Sequence, residues 1–214
     1  MLKRMEIKKI KYIVLQIMLF VAIVAQAQSV DLTQQFQGEL KAKNRDVTSI
    51  ECRFEQLREV SVLANVARKE GDFYFVPPCK MLLKFDDSDY IKMNDTHFAI
   101  KTKESVTTTK IASNPMLRNL NAILAACMVG NFDEMTRGFD VKISRSTSEW
   151  VVTLTPQRGK ASAKVARIVI HFACGDMSLN SLKMEERSGD ATTYLFTEKR
   201  FNTAIDNNIF NIAG

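Results

Sequence analysis

Between Ser29 and Lys43 the apolar residues Leu32, Phe36 and Leu40 recur every four positions, with polar residues on the other faces. That spacing predicts an amphipathic helix capped by Ser29, weakened slightly by Gly38 inside it. From Thr48 the period changes to two. Ile50, Cys52 and Phe54 alternate with Glu51, Arg53 and Glu55, the signature of a half-buried strand. Phe73 and Phe75 alternate in the same way until Pro77-Pro78 stops the run. Met81, Leu83 and Phe85 follow and end at the acidic turn Asp86-Asp87-Ser88-Asp89. Ile91 and Met93 lead into the turn Asn94-Asp95, and a short strand surrounds Phe98 and Ile100.

A second helical pattern interrupts the strands from Asn114 to Met128. Pro115 sits at its first turn, Gly130 closes it, and Met116, Leu117, Leu120, Ile123, Leu124, Cys127 and Met128 form a 3.6-residue stripe. A short helix is expected from Asn131 to Arg137. Strands then resume at Phe139–Ile143, Trp150–Leu154, Ile168–Phe172, Leu182–Met184 and Tyr194–Phe196, with a last short strand near Ile209 to Ile212. The loop Pro156 to Lys164 reads as a connection. Turn chemistry rather than helices separates the strands, which favours an antiparallel meander over βαβ units. The expected fold is mainly β (α+β), a strongly curved, incomplete antiparallel barrel of about ten or eleven strands. Helices would cover its concave face, because a sheet this large curls and leaves an apolar space to fill.

The N-terminus changes the charge argument. Lys3, Arg4, Lys8, Lys9 and Lys11 precede an apolar run from Ile13 to Val24, and Ala25-Gln26-Ala27 supplies the small residues of a cleavage site. About 12 apolar residues span only about 18 Å as a helix, short of a ~30 Å hydrocarbon core, so the segment reads as a cleavable secretory signal rather than an anchor. The expected organisation is a signal over residues 1–27 and one exported, soluble domain over 28–214. The chain carries 30 basic and 24 acidic residues; the leader holds five and one of them, leaving 25 against 23. The pI near 9.1 therefore belongs largely to the leader. A mature surface of mixed charge without basic blocks argues against a nucleic-acid partner.

Candidate chemistry is sparse. The two histidines, His97 and His171, stand in no metal-ligand spacing, and neither a nucleophile elbow nor a phosphate-binding glycine loop is present. Catalytic residues, metals and cofactors are therefore expected to be none. Glu51 and Glu55 share a strand face and read as a solvated surface. Asp86, Asp87 and Asp89 read as an acidic turn, since the glycine and bidentate glutamate of a calcium loop are missing. Asn94-Asp95-Thr96 fits a glycosylation pattern and reads better as a turn. In an oxidising compartment Cys52, Cys79, Cys127 and Cys174 allow up to two bridges in three full pairings. Cys52 and Cys127 fall on apolar faces as small hydrophobes; Cys79 and Cys174 fall near turns.

The segments VTSIECRFEQ (Val47 to Gln56), KEGDFYFVPPCKMLLKF (Lys69 to Phe85) and YIKMNDTHFAI, followed by LTP (Leu154 to Pro156) and F-N-I (Phe210 to Ile212), resemble the outer-membrane lipoprotein carrier (LolA) family. The resemblance runs in order over nearly all of the mature chain. It implies a periplasmic carrier, a monomer, whose partners are an acylated lipoprotein or other envelope lipid, an inner-membrane exporter and an outer-membrane acceptor. It also implies an apolar lining of Ile50, Phe54, Phe73, Phe75, Met81, Leu83, Phe85, Ile91 and Met93, with Leu117, Leu120, Ile123 and Leu124 as lid. Three positions depart from the family pattern. Pro77 replaces an arginine that helps close the lid, Leu83 replaces an aromatic, and Phe98-Ala99-Ile100 stands for an L-W-x-Y stretch. These bear on cargo and opening rather than on fold. The competing expectation is an interaction or structural protein of the same fold with a filled core.

Overall fold

The computed structural model describes residues 32–63, 66–103, 105–111, 123, 127, 132, 138–157 and 164–212. The expected leader, most of the helical stretch 112–137 and the loop 158–163 lie outside these. Helix α1 covers 32–44. Eleven strands follow: β1 Ile50–Glu59, β2 Val66–Val76, β3 Lys80–Phe85, β4 Tyr90–Met93, β5 His97–Thr102, β6 Ser105–Lys110, β7 Phe139–Arg145, β8 Glu149–Pro156, β9 Val165–Ala173, β10 Leu179–Glu186 and β11 Ala191–Phe201. Among the described residues no helix is long and apolar enough to cross a membrane.

All eleven strands belong to one sheet in the order β6-β5-β4-β3-β2-β1-β11-β10-β9-β8-β7. Each half is a meander whose neighbours in sequence are neighbours in space, and every pair is antiparallel. The two meanders meet where β1 pairs with β11, from Ile50 opposite Phe201 to Glu59 opposite Ala191. The edges β6 and β7 do not pair with each other, so the sheet stays open.

Alternation puts one residue set on a common inner face. Ile50, Cys52 and Phe54 of β1, Phe73 and Phe75 of β2, Met81, Leu83 and Phe85 of β3, and Trp150, Val152 and Leu154 of β8 all join one buried core. Helix α1 docks on the β8–β9 part of this face. The Phe36 ring makes edge contacts with Trp150 at 5.5 Å, Phe172 at 5.3 Å and Phe132 at 5.5 Å. Glu39 fixes the rotation of the helix by accepting from Trp150 Nε1 at 3.0 Å, while Arg145 lies over the indole at 4.7 Å.

Two segments differ from expectation. Strand β6, Ser-Val-Thr-Thr-Thr-Lys, carries no apolar alternation because it is an exposed edge, and the hydrophobic period cannot reveal it. The last strand expected near Ile209 is instead a 3-10 turn, Asn207–Phe210, capped by Asp206, whose carboxylate accepts from Asn208 N at 2.9 Å. This turn crosses the outer face of β3–β5. Lys92 Nζ donates to Asn211 O at 3.0 Å and Lys80 Nζ to Asn207 Oδ1 at 3.2 Å. Phe210, Leu82 and Ala99 are all buried there, apart from the main core. Leu82 thus explains the uninterrupted Met81-Leu82-Leu83 run: the strand is covered on both faces.

The acidic turn after β3 is held by two cations, Arg53 from the outer face of β1 and Lys69, in step with Gly71 and Phe73 on β2, over the Phe85 ring at 5.2 Å. Arg53 donates to Asp86 at 2.9 and 3.1 Å and to Asp72 at 3.0 Å; Lys69 reaches Asp87 at 2.9 Å and Asp89 at 2.7 Å. The hydrogen bonds from Arg53 hold the Asp86 carboxyl below its ordinary value of 3.8. A depressed carboxylate contributes stability above its unfolded pKa and loses it as pH falls through the folded one. Arg53→Met should therefore flatten, relative to wild type, the fall in urea midpoint as pH drops through and below the ordinary carboxylate range.

Gly71 gives a second test. A Cβ there would meet the Lys84 carbonyl oxygen and Phe85 Cα at 2.8 Å, both backbone, whereas a Cβ on Gly38 in α1 meets nothing within 4 Å. Gly71→Ala should cost about 3 kcal/mol or more by forcing β2 from β3. Gly38→Ala should add about 0.5–1 kcal/mol through helix propensity. Urea denaturation of the two variants checks both signs.

Candidate functional site

The inner face of β2–β5 and β10–β11 is where packing is incomplete. A cavity of about 80 Å³ lies among Phe73, Met81, Leu83, Ile91, Phe98, Leu182, Tyr194 and Phe196. Of the residues the sequence assigns to a lining, Phe73, Met81, Leu83 and Ile91 border it. Ile50, Phe54, Phe75, Phe85 and Met93 face the same side but do not border this cavity, and all five are buried. Phe54 illustrates the reason, since its ring closes against Phe85 at 5.1 Å and Tyr194 at 6.2 Å. Ile123 is helical and buried; Leu117, Leu120 and Leu124 lie outside the described residues.

Four bordering residues were not assigned from sequence: Phe98, Leu182, Tyr194 and Phe196. The last three come from the C-terminal meander, which the β1–β11 pairing brings over the N-terminal one. Phe73 and Phe196 meet edge to face at 5.3 Å across that seam. Gln56 fixes its neighbour: Nε2 donates to Tyr194 Oη at 2.7 Å. The F-x-Q motif of β1 thus has a physical role, with Phe54 filling the core and Gln56 satisfying a phenol whose ring borders the cavity.

Beyond the Phe73–Phe196 pair the lining becomes partly polar. A second space of about 20 Å³ is bordered by Ile50, Cys52, Phe73, Cys127 and Phe196 but also by Asn44, Ser178 and Lys199. It owes its lysine to a bulge. The β1–β11 register shifts between Glu51/Arg53, opposite Arg200 and Thr197, and Glu198 takes a left-handed backbone conformation at φ 51°. The register of β10 against β9 shifts as well, between Leu179 and Ser181. Lys199 Nζ donates to Ser178 Oγ at 2.9 Å and Asn180 Oδ1 at 2.5 Å. On the outer side a cleft of about 440 Å³ lined by Glu51, Arg53, Asp72 and Arg200 reaches the same lysine and Cys52. The sequence did carry a signal for this. Phe196 and Phe201 both pack on the inner side yet stand five apart, and an odd separation on one face demands an extra residue.

The other candidates resolve into surface structure. Glu51 pairs with Arg200 at 2.8 Å and Glu55 with Arg68 at 2.7 Å on the outer face. His171 Nδ1 lies 3.0 Å from Glu149 Oε2, on the face opposite Ile168 and Ile170. Asn94 Oδ1 accepts from the backbone N–H groups of Thr96 and His97 at 3.1 and 2.9 Å, which makes it a turn residue. None of the four cysteines is in a disulfide. Cys79 Sγ donates to Asp95 Oδ1 at 2.8 Å.

The family model for the outer membrane lipoprotein carrier protein LolA matches residues 45–213. The chain belongs to this family. Among solved structures, an uncharacterised conserved protein of Thermus thermophilus is similar with a TM-score of 0.50 at 6% identity, covering 85% of this chain and 94% of that one. A LolA superfamily protein of Nitrosomonas europaea gives 0.44 at 9% identity, over 84% and 97% of the two chains. The lipoprotein LppX of Mycobacterium tuberculosis gives 0.40 at 12%, over 81% and 98%. A comparison with curated proteins gave no match. The LolA-family assignment thus rests on the family model.

Thiol reactivity reads out how closed this region is. Burial pushes the Cys52 and Cys127 thiols up to about 12, and burial, together with the bond to Asp95, does the same for Cys79. At pH 8 such thiols are ionised to about one part in ten thousand. Brief iodoacetamide treatment at that pH should modify Cys174 in the native protein and all four cysteines in urea, as read by mass spectrometry. Native labelling of Cys52 or Cys127 at the rate of Cys174 would mean that the inner face opens on that timescale.

Proposed function

We propose that this LolA-family chain is a periplasmic carrier that encloses the acyl chains of a lipoprotein or related envelope lipid and passes them from the inner to the outer membrane. The observation that carries the reading is an apolar cavity at the seam between the two meanders, bordered by Phe, Leu, Ile and Met side chains with one tyrosine. The physical requirement is large. Exposing a 16-carbon chain to water costs about 13 kcal/mol at ~0.8 kcal/mol per methylene, so a carrier must surround the chain rather than touch it. An exporter at one membrane and an acceptor at the other would supply and remove the cargo, the acceptor by offering an apolar site at least as favourable.

A cavity of about 80 Å³ is too small for such a chain; pockets for small ligands run to about 300–1,000 Å³. The reading therefore takes the described state as the closed one, with Met81 and the aromatic rings yielding space on loading. Leu117, Leu120, Ile123 and Leu124 then form the apolar cover that must lift. A filled-core interaction protein would instead keep the cavity at this size whatever is offered to it.

Native mass spectrometry of the protein from a periplasmic extract, followed by lipid extraction, tests carriage directly, and a co-purifying acylated species is the expected result. Two variants test the location. Leu83→Trp, which puts an indole into the cavity, and Leu124→Glu, which places a charge on the cover, should each reduce uptake of a fluorescent fatty acid at least tenfold while the far-ultraviolet dichroism stays that of a sheet. Bare protein with no uptake in the wild type would replace the carrier by the filled-core reading.

A further inference from the structure

Charged side chains along this sheet mostly end on an opposite charge: Arg53 on Asp72 and Asp86, Lys69 on Asp87 and Asp89, Arg167 on Glu185, Arg200 on Glu51. Lys199 does not. Its hydrogen bonds go to two neutral oxygens, Ser178 Oγ and Asn180 Oδ1, and among the described residues it forms no ion pair. Burial holds the ammonium below the ordinary lysine value, and Asp176 and Glu149 oppose that only at range. Asp176 is engaged with the Ser178 backbone N–H at 2.9 Å, and Glu149 with Asn180 and His171 at 3.0 Å each. A half-buried cation without a counter-charge is less stable than a paired one, and an anion brought to it gains a charge-assisted hydrogen bond.

The position of this cation relative to the apolar cavity supplies the second observation. The space of about 20 Å³ at Lys199 has room for about one water-sized oxygen. It shares Phe73 and Phe196 as a wall with the cavity of about 80 Å³. From β11, which carries Lys199, to β4, which carries Ile91, there are four strand steps, or about 19 Å along the sheet at ~4.8 Å per step. Polar and apolar ends are thus arranged in line, as in an amphiphile. The outer cleft that also reaches Lys199 lets a headgroup there stay hydrated.

We propose that Lys199, assisted by Ser178, is a headgroup site: the cargo is an anionic amphiphile whose carboxylate or phosphate binds at the bulge while its chain passes Phe73 and Phe196 into the cavity of Met81, Leu83 and Ile91. This rests on the carrier reading and narrows it to a ligand class. The competing role for Lys199 is a stitch between β10 and β11, which would affect stability without affecting ligand choice.

The test is displacement of the neutral probe N-phenyl-1-naphthylamine from the delipidated protein by dodecanoate, dodecyl phosphate and dodecanol, which share one chain. Wild type should bind at least one anion about ten- to a hundredfold more tightly than dodecanol, the range expected of a hydrogen bond to a charged group. Lys199→Met should lose that preference with dodecanol affinity unchanged, and Lys199→Arg should keep it; circular dichroism and urea midpoints show that the variants fold. Preference for dodecanoate over dodecyl phosphate points to a free fatty acid, and the reverse to a phosphorylated lipid. Equal affinity for all three in wild type, or a preference that survives in Lys199→Met, overturns the headgroup site and leaves the carrier standing. Failure of every ligand and of the probe to bind overturns the carrier reading, and the headgroup site with it.

Discussion

The pairing of β1 with β11 is the constraint on which the rest depends. Without it the chain is two meanders, each exposing one apolar face and a long unpaired edge. With it the inner faces become continuous, so that Phe73 and Phe196, more than a hundred residues apart in sequence, meet at 5.3 Å. The cost is entropic, because the ladder closes a loop that contains every other strand, and that cost grows only slowly with loop length. What offsets it is local: Phe54 opposite Phe196 and Gln56 opposite Tyr194 place a core aromatic and a half-buried hydrogen bond side by side in the same ladder.

The same seam is where regularity gives way. With a uniform register Cys52 would face Glu198 and Ile50 would face Arg200. The bulge at Glu198 instead delivers Lys199, and the shift in β10 supplies Ser178 and Asn180 to receive it. Strain of this kind, a non-glycine residue at positive φ, persists only where surrounding structure over-determines it. Here the long β1–β11 ladder on one side and the β9–β10 ladder on the other do so. The seam thus unites the cavity, the motif glutamine and the half-buried cation.

How far all this was legible from sequence depends on which physical signal each element leaves. Strands with one covered face announce themselves by alternation, so Ile50 to Phe54, Phe73 to Phe75 and Trp150 to Leu154 were readable, as was the helix carrying Phe36 and Leu40. The polar edge β6 left no such trace, since neither of its faces is buried. The C-terminal turn was read as a strand because Ile209 and Phe210 are apolar, whereas Asp206 caps a 3-10 turn that lays Phe210 on the outside of the sheet. Phe73, Met81, Leu83 and Ile91 alternate along their strands, so the face they share was readable, whereas Phe98 of the same meander was seen only as a strand residue. Leu182, Tyr194 and Phe196 were identified as strand residues but not as neighbours of Phe73, since pairing between distant strands is not written in local periodicity. Lys199 was hidden by the parity change that the bulge introduces.

Phe210 carries a practical consequence. It seals a small apolar patch of Leu82 and Ala99 on the outside of β3–β5, and Lys80, Lys92 and Asn94 tie the turn down by hydrogen bonds to Asn207, Asn211 and Phe210. Strand β3 therefore has its inner residues facing the cavity and its outer residues facing this clasp. A purification tag or reporter fused directly after residue 214 would pull on the clasp, and if Phe210 lifted, a sticky patch would appear on the back of the strand that carries Met81 and Leu83. Such a fusion would self-associate through its back while its cavity was being assayed, so a long flexible C-terminal spacer is the safer arrangement for studying this molecule.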